Sequence, residues 1–202
     1  MSCHDENGMF EPEMTIYHGS NCDYYAHDEC CCDFCKECCT TGAPKCNVCE
    51  LQMKNLLAQL ITLYPTTIFS FTMQDGTIIT GTPTGMLDSY NNGVVVVTSP
   101  GGTTEYINVC QIARVELISA TYNTQITYFP GCVCPTCSGC DESIRSLISV
   151  GEIISIPRGV PITDATVVAV APGIIALDSG ENVWFISTCH MDSFTITDIT
   201  AG

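Results

Sequence analysis

The sequence has few basic residues and no long apolar run. Six Lys and Arg stand against 22 Asp and Glu, which gives a formal net charge of −16. Proteins that bind a nucleic-acid backbone draw most of their affinity from Lys and Arg, so this balance argues against a nucleic-acid partner. No stretch approaches the roughly 18 apolar residues that a membrane-spanning helix needs. We therefore expect no membrane partner either.

Signal-peptide and catalytic motifs are also missing. The beginning, Met1–Glu6, has no basic segment followed by an apolar one, so we expect no secretory signal peptide and synthesis in a cytoplasm. The sequence contains no Ser-x-x-Lys, Gly-x-Ser-x-Gly, Walker or dinucleotide-binding motif. We therefore predict that the protein is not an enzyme, and we assign no catalytic residue.

Cysteine is the abundant residue. The chain has 16 cysteines among 202 residues, close to the level that marks a cross-linked or metal-rich scaffold. Eight of them lie in residues 30–49, a segment with too few large apolar residues to build a core of its own. The candidates for cross-links or metal ligands are Cys30, Cys31, Cys32, Cys35, Cys38, Cys39, Cys46, Cys49, Cys110, Cys132, Cys134, Cys137, Cys140 and Cys189.

Three chemistries compete for these thiols. Cys-x-x-Cys pairs place two thiolates within reach of one zinc ion. The zinc ligands would come from Cys35, Cys38, Cys46, Cys49, Cys134, Cys137 and Cys140. The spacing from Cys134 to Cys140 also resembles an iron–sulfur motif, but the usual fourth Cys-Pro is missing. Adjacent cysteines such as Cys30–Cys32 favour disulfides, because neighbouring thiols point in different directions. We favour cross-linking without a cofactor and keep zinc as the alternative.

Apolar periodicity predicts a helix followed by short strands. Apolar residues recur at helical spacing over Leu51–Leu63, and Pro65 ends the helix. Asp75-Gly76 is a hairpin turn signal between the first two strands. The predicted strands are Thr67–Met73, Thr77–Leu87, Val94–Thr98, Thr104–Asn108 and Ala113–Ile118.

The second half of the chain repeats these signals. The matched segments are Cys46–Cys49 with Cys137–Cys140, Leu56–Leu57 with Leu147–Ile148, and Ile107–Cys110 with Ile186–Cys189. Matched anchors in a fixed order indicate a duplication. In the second half we predict a helix over Glu142–Ile148. Its strands are predicted at Glu152–Ile156, Ala165–Ala171, Gly173–Asp178, Asn182–Ser187 and Ser193–Ile199.

This element order is typical of a small SH3-like barrel. We therefore predict a mainly β fold of two tandem five-stranded SH3/Sm-like barrels, each preceded by a short helix, behind a Cys-rich N-terminal segment. The predicted organisation is an irregular acidic arm at 1–29, a Cys-rich segment at 30–49, a first helix and barrel at 50–118, a linker with a Cys cluster at 119–140, and a second helix and barrel at 141–202.

The first unit resembles the Sm/LSm variety of this barrel over about residues 50–118. The resemblance lies in the helix, in Gln74–Gly76, in Gly81 on a bent second strand, in Asp88–Asn92 and in the closing Tyr106–Ile112. In Sm proteins an Asp-x-aromatic-x-Asn loop and a later Arg-Gly loop bind RNA. No Arg-Gly follows the fourth strand of this unit. The resemblance therefore implies a barrel that forms rings or stacks, with an Sm-like RNA binder as a lesser alternative.

One cysteine lies at the corner before the last strand of each unit. In an Sm-like barrel the helix lies across the open end of the sheet, so each corner cysteine could reach the Cys-x-x-Cys of its own unit. The resulting hypothesis pairs Cys110 with Cys46 or Cys49, and Cys189 with Cys137 or Cys140. In the alternative interpretation both corner cysteines are small buried apolar residues. The apolar segments Gly93–Thr98 and Ala165–Ala171 are either core strands or assembly edges.

The whole pattern resembles the cysteine-rich spore-surface proteins of endospore-forming Firmicutes. The features that carry the resemblance are Cys30–Cys49, the helix Leu51–Leu63, Cys132–Cys140 and the missing signal peptide. It implies a structural protein of the coat, exosporium or appendages, made in the mother-cell cytoplasm and deposited on the spore surface. Its partners would be copies of itself and other spore-surface proteins, joined by disulfides. The alternative is an intracellular zinc-binding scaffold or adaptor.

Overall fold

The computed structural model describes residues 48–87, 93–129, 139–157 and 160–197. Residues 48–131 and 140–202 belong to one structural unit. The predicted arm at 1–29, the Cys-rich segment up to residue 47 and the loop 88–92 lie outside the described residues. The organisation predicted for these parts stays a prediction.

The first helix, α1, spans Val48–Leu63. Its buried residues are Cys49, Gln52, Met53, Leu56, Leu57 and Leu60, which recur at helical spacing and form one stripe. The amide of Tyr64 still donates to the carbonyl of Leu60, at 2.8 Å, and Pro65 follows directly. The predicted helix is thus confirmed, with a start three residues earlier than expected.

Five strands follow α1, as predicted. They are β1 (Phe69–Met73), β2 (Ile78–Leu87), β3 (Val94–Thr98), β4 (Thr104–Asn108) and β5 (Ile112–Leu117). A 3-10 turn, Val109–Gln111, forms the corner between β4 and β5. The strands β3 and β4 match the prediction residue for residue, because turn residues limit them on both sides.

The second half has the same order of elements. A short helix, α2 (Gly139–Arg145), precedes β6 (Ile153–Ile156), β7 (Ile162–Ala171), β8 (Ile174–Asp178), β9 (Val183–Ser187) and β10 (Thr195–Thr197). A second 3-10 turn, Thr188–His190, forms the corner before β10. The predicted helix Glu142–Ile148 lies three residues too late, and β10 is shorter than the predicted strand.

The ten strands form one antiparallel sheet. Their order is β10-β6-β7-β8-β9-β5-β1-β2-β3-β4, so the mainly β prediction is confirmed. Two separate barrels are not confirmed, because this sheet is continuous through both halves and is not closed. Neither Val94–Thr98 nor Ala165–Ala171 is an edge, because β3 and β7 each have two neighbours.

The two halves of the sheet have the same pattern of strand pairing. In each half the second strand pairs first with the preceding strand and then with the following one. A register shift interrupts this pairing between Pro83 and Gly85 in β2, and between Val167 and Ala169 in β7. The same irregularity at the same place supports the predicted duplication.

The bend in β2 depends on Gly81. The part of β2 that ends at Gly81 pairs with β1, and the part from Thr82 onward pairs with β3. A Cβ atom at Gly81 would lie 2.5 Å from the carbonyl oxygen of Thr98 and 2.7 Å from Cγ1 of Val97. Only glycine lets the two backbones approach this closely.

The apolar core extends across the boundary between the halves. The first cluster combines the buried stripe of α1 with buried residues of β1, β3, β4 and β5. It also contains Ile174, Ala176, Val183 and Phe185 from β8 and β9. A second cluster lies within the second half and includes Trp184. The helix α1 therefore packs on both halves of the sheet.

We predict that Gly81→Ala lowers the free energy of unfolding by about 1–3 kcal/mol, because the added methyl group overpacks the contact with β3. Gly85→Ala is the matched control in the same strand, since a Cβ there meets no atom within 4 Å. Urea denaturation of both variants measures the difference. Equal midpoints for Gly81→Ala and Gly85→Ala would show that the close approach at Gly81 is not required.

Candidate functional site

The junction between the two halves of the sheet combines strand pairing, a disulfide and buried hydrogen bonds. The strands β5 and β9 pair antiparallel there, with Val115 opposite Phe185 and Leu117 opposite Val183. All four side chains are fully buried. The ladder makes the last strand of one half a neighbour of the fourth strand of the other.

A disulfide joins the same two halves. Cys49, the second residue of α1, is bonded to Cys189 in the 3-10 corner of the second half, across 140 residues of sequence. Their Cα atoms are 6.2 Å apart, an ordinary separation for a disulfide. The predicted pairing within each half is therefore wrong. Cys189 reaches the other half's helix because α1 extends over the junction.

The turn between β7 and β8 packs closely against the first turn of α1. Gly173 has a φ of +79°, and a Cβ atom there would lie 2.7 Å from Cα of Cys49 and 2.9 Å from the carbonyl oxygen of Val48. The carbonyl of Gly173 also accepts a hydrogen bond of 3.1 Å from the amide of Thr188. Both the backbone conformation and the available space require glycine at this position.

A buried carboxylate organises the polar groups next to the disulfide. Oδ1 of Asp141 accepts hydrogen bonds from the amide of Gly173, at 2.9 Å, and from the hydroxyl of Thr188. Its Oδ2 accepts from Nε of Arg145 at 2.9 Å. The hydroxyl of Thr188 also lies 3.6 Å from Sγ of Cys49. Asp141 therefore connects α2 with the turn at Gly173, which packs on Cys49, and with the 3-10 corner that carries Cys189.

The sequence alone did not point to Asp141 as a site residue. The available signal was an acidic residue directly after Cys-x-x-Cys and just before the predicted helix Glu142–Ile148, a position that lies in the first turn of α2. Acidic residues are common in such turns because they favour the helix dipole. The pattern therefore did not distinguish Asp141 from a solvated carboxylate.

Cys110 occupies in the first half the position that Cys189 occupies in the second. It is a free, half-buried thiol in the 3-10 corner before β5. Burial, followed by the nearby Glu50 carboxylate, raises the pKa of Cys110 to about 11. Burial also raises the pKa of Glu50, while its hydrogen bond with Cys110 acts in the opposite direction. Because the thiolate is the reactive form, the raised pKa reduces the reactive fraction of Cys110 near neutral pH.

A shallow cavity of about 310 Å³ lies at the junction, beside the second 3-10 corner. The side-chain amide of Gln74 lies 2.7 Å from the carbonyl of Cys110, to which it donates, and 2.9 Å from Nε2 of His190. Burial lowers the pKa of His190. Arg114, also on the cavity wall, donates to the carbonyl of Val160 at 2.7 Å, and burial lowers its pKa. These contacts connect the two corners across the junction.

Three of the fourteen candidate cysteines are described with their side chains: Cys49, Cys110 and Cys189. Cys140 lies in α2. The predictions for Cys30, Cys31, Cys32, Cys35, Cys38, Cys39, Cys46, Cys132, Cys134 and Cys137 lie outside the described residues. The disulfide occupies Cys49, one of the ligands proposed for zinc. Over residues 48–87, 93–129, 139–157 and 160–197, no group of three or more His, Cys, Asp or Glu residues is placed to hold a metal ion.

Comparison with known proteins gives no family for this chain. No family model matches it, and no curated protein or solved structure matches it significantly. Neither of the two described α-helices has the length and apolar character needed to cross a membrane. The candidate site is therefore defined by its geometry alone: a strand junction, a disulfide across it and a free thiol at the equivalent corner.

We predict that replacing both Cys49 and Cys189 with Ser lowers the free energy of unfolding by about 2–5 kcal/mol, since the cross-link closes a long loop. Urea denaturation without reductant measures the loss. Cys110→Ser is the control, because this thiol is not in a disulfide. A double variant as stable as the control would contradict a stabilising role for the cross-link.

We also predict that Glu50→Gln accelerates alkylation of Cys110. Removing the Glu50 carboxylate lowers the pKa of the thiol and increases the thiolate population at pH 8. Iodoacetamide labelling of Cys110, followed by peptide mass spectrometry, measures the rate. Glu181→Gln, at an exposed position, should leave the rate unchanged. Equal rates in the two variants would show that Glu50 does not control the thiol.

Proposed function

We propose that this protein is a non-enzymatic structural protein that self-assembles into a disulfide cross-linked layer or fibre. The observation that carries this proposal is the junction itself. Two sheet halves meet there edge to edge, and the disulfide between Cys49 and Cys189 secures the contact. A chain that already joins repeated units by strand pairing and a disulfide has the chemistry that a larger assembly needs.

The open ends of the sheet support the proposal. Among the described strands, β4 and β10 each have one neighbour. Unpaired strand edges offer rows of backbone donors and acceptors to another chain. The strand β10 contains no charged residue, and β4 contains only Glu105, so neither edge carries the lysines that commonly prevent such pairing.

We further infer that each half is an SH3/Sm-like barrel unit. Three features support this: the strand order within each half, the second strand that is shared between two neighbours, and the 3-10 corner before the last strand. In this interpretation the junction joins two such units through their edge strands.

We place this material on the spore surface, in the coat, exosporium or appendages, after synthesis in the mother-cell cytoplasm. The proposed partners are other copies of the chain and other spore-surface proteins. The cysteine-dense composition supports this placement, and so does the disulfide, because oxidation after release from the cell would form such bonds.

The test is to measure the mass of purified native material before and after reduction, with free thiols alkylated first, alongside elemental analysis for zinc and iron. We expect high-mass species without stoichiometric metal, which collapse on reduction to a single chain of 21.8 kDa. A single chain that carries stoichiometric zinc and does not change mass on reduction would contradict the proposal and favour the zinc-binding scaffold.

A further inference from the structure

The two edge strands of the sheet are the counterparts, in the duplicated halves, of the two strands that pair at the inner junction. The edge strand β4 is the counterpart of β9, and the edge strand β10 is the counterpart of β5. Cys110 and Cys189 lie 79 residues apart and occupy the same corner of their halves. The same spacing relates β4 to β9, and it relates the end of β5 to β10. The junction pairs β5 with β9. Its repetition between two copies of the chain would pair β10 with β4.

On the basis of the proposed self-assembly, we propose that β10 of one copy pairs antiparallel with β4 of the next copy, in the register of the inner junction. Val115 lies opposite Phe185 inside the chain, so Phe194 would lie opposite Tyr106 of the neighbouring copy. By the same equivalence, Ile196 would lie opposite Thr104 of the neighbouring copy. The partner that this surface fits is a second copy of the chain.

The exposure of matched side chains supports this interface. Phe185 is 0% exposed in the junction, whereas its counterpart Tyr106 on β4 is 68% exposed. Leu117 is 0% exposed, whereas its counterpart Ile196 on β10 is 41% exposed. Both outer edges therefore present large apolar side chains at the positions that the inner junction buries.

The helices show the same contrast between a buried residue at the junction and an exposed counterpart. Leu56 of α1 is 0% exposed and belongs to the cluster that includes Phe185 of the second half. Its counterpart Leu147, which follows α2, is 61% exposed. The junction repeated between copies would place α2 and Leu147 over β3 and β4 of the next copy, where Tyr106 is exposed. The three large apolar residues Tyr106, Leu147 and Ile196 are thus buried by one contact.

The first half has a glycine at the position equivalent to Gly173 of the junction. Gly93 corresponds to Gly173, and the amide of Val109 donates to its carbonyl at 3.2 Å as Thr188 does to Gly173. At Gly173 the missing Cβ makes room for α1. At Gly93 the three atoms nearest to a Cβ belong to the side chains of Met86 and Lys54, at 3.4–3.5 Å. The backbone of α1, which fills this place at Gly173, is thus replaced at Gly93 by side chains, which would have to move aside for the first turn of α2 from a neighbouring copy.

The interface is heterologous, because the two edges that meet are different surfaces of the chain. An assembly that has not closed therefore has one free β4 edge at one end and one free β10 edge at the other. Such a contact produces a ring when the rotation between copies closes, and a fibre when it does not.

The experiment compares the full-length chain with its Tyr106→Lys and Val150→Lys variants by sedimentation velocity over a range of concentrations. Free thiols are alkylated first, so that no new disulfide forms and the bond from Cys49 to Cys189 stays intact. Both substituted residues are exposed, at 68% and 64%, and neither lysine should perturb the single chain. We expect Tyr106→Lys to weaken association by about 30-fold or more, as loss of a hot-spot residue does, and Val150→Lys to associate like the wild type.

The outcomes separate the interface from the proposed function. Assembly of Tyr106→Lys at wild-type concentrations would overturn the interface and leave self-assembly standing. A wild-type chain that stays single at every concentration, before and after oxidation, would overturn both.

Discussion

The packing of the first turn of α1 against the second half of the sheet is the contact on which the rest of the described structure depends. Gly173 admits the helix backbone, Asp141 satisfies the polar groups around it, and the disulfide from Cys49 to Cys189 makes the contact covalent. Because α1 also supplies the main stripe of the first core cluster, the two halves share apolar residues. The ladder between β5 and β9 then extends one sheet through both halves. Strand pairing, core packing and the cross-link all act at one boundary.

Local sequence signals predicted the elements of this fold well. Apolar runs bounded by turn residues placed all ten strands, and β3 and β4 were predicted residue for residue. The failures concern the relation between elements. The edge strands of two similar units can pair within each unit, which closes a barrel, or with each other across the boundary. The alternation of apolar residues is the same in both cases. The continuous sheet could therefore not be read from periodicity.

The cysteine pairing failed for a related reason. The sequence correctly identified Cys110 and Cys189 as equivalent corners, but spacing alone cannot distinguish a partner in the same unit from one in the next. The structure separates these cases, because Gly173 and Thr188 of the second half lie against Cys49. The duplication thus predicted which positions are chemically alike, while the three-dimensional contact determined which of them meet.

Charge and edge chemistry act in opposite directions in this chain. A net charge of −16 repels other copies at long range, and salt screens this repulsion within about 10 Å at 0.1 M. The short-range chemistry of the edges is attractive, since β10 has no charge and Tyr106 and Ile196 are exposed on the two edge strands. In the proposed assembly, this balance would keep copies apart in dilute, low-salt conditions and favour contact when they are concentrated or screened. A protein that must stay dispersed during synthesis and assemble afterward needs this combination, and a disulfide that forms after contact would make the assembled state permanent.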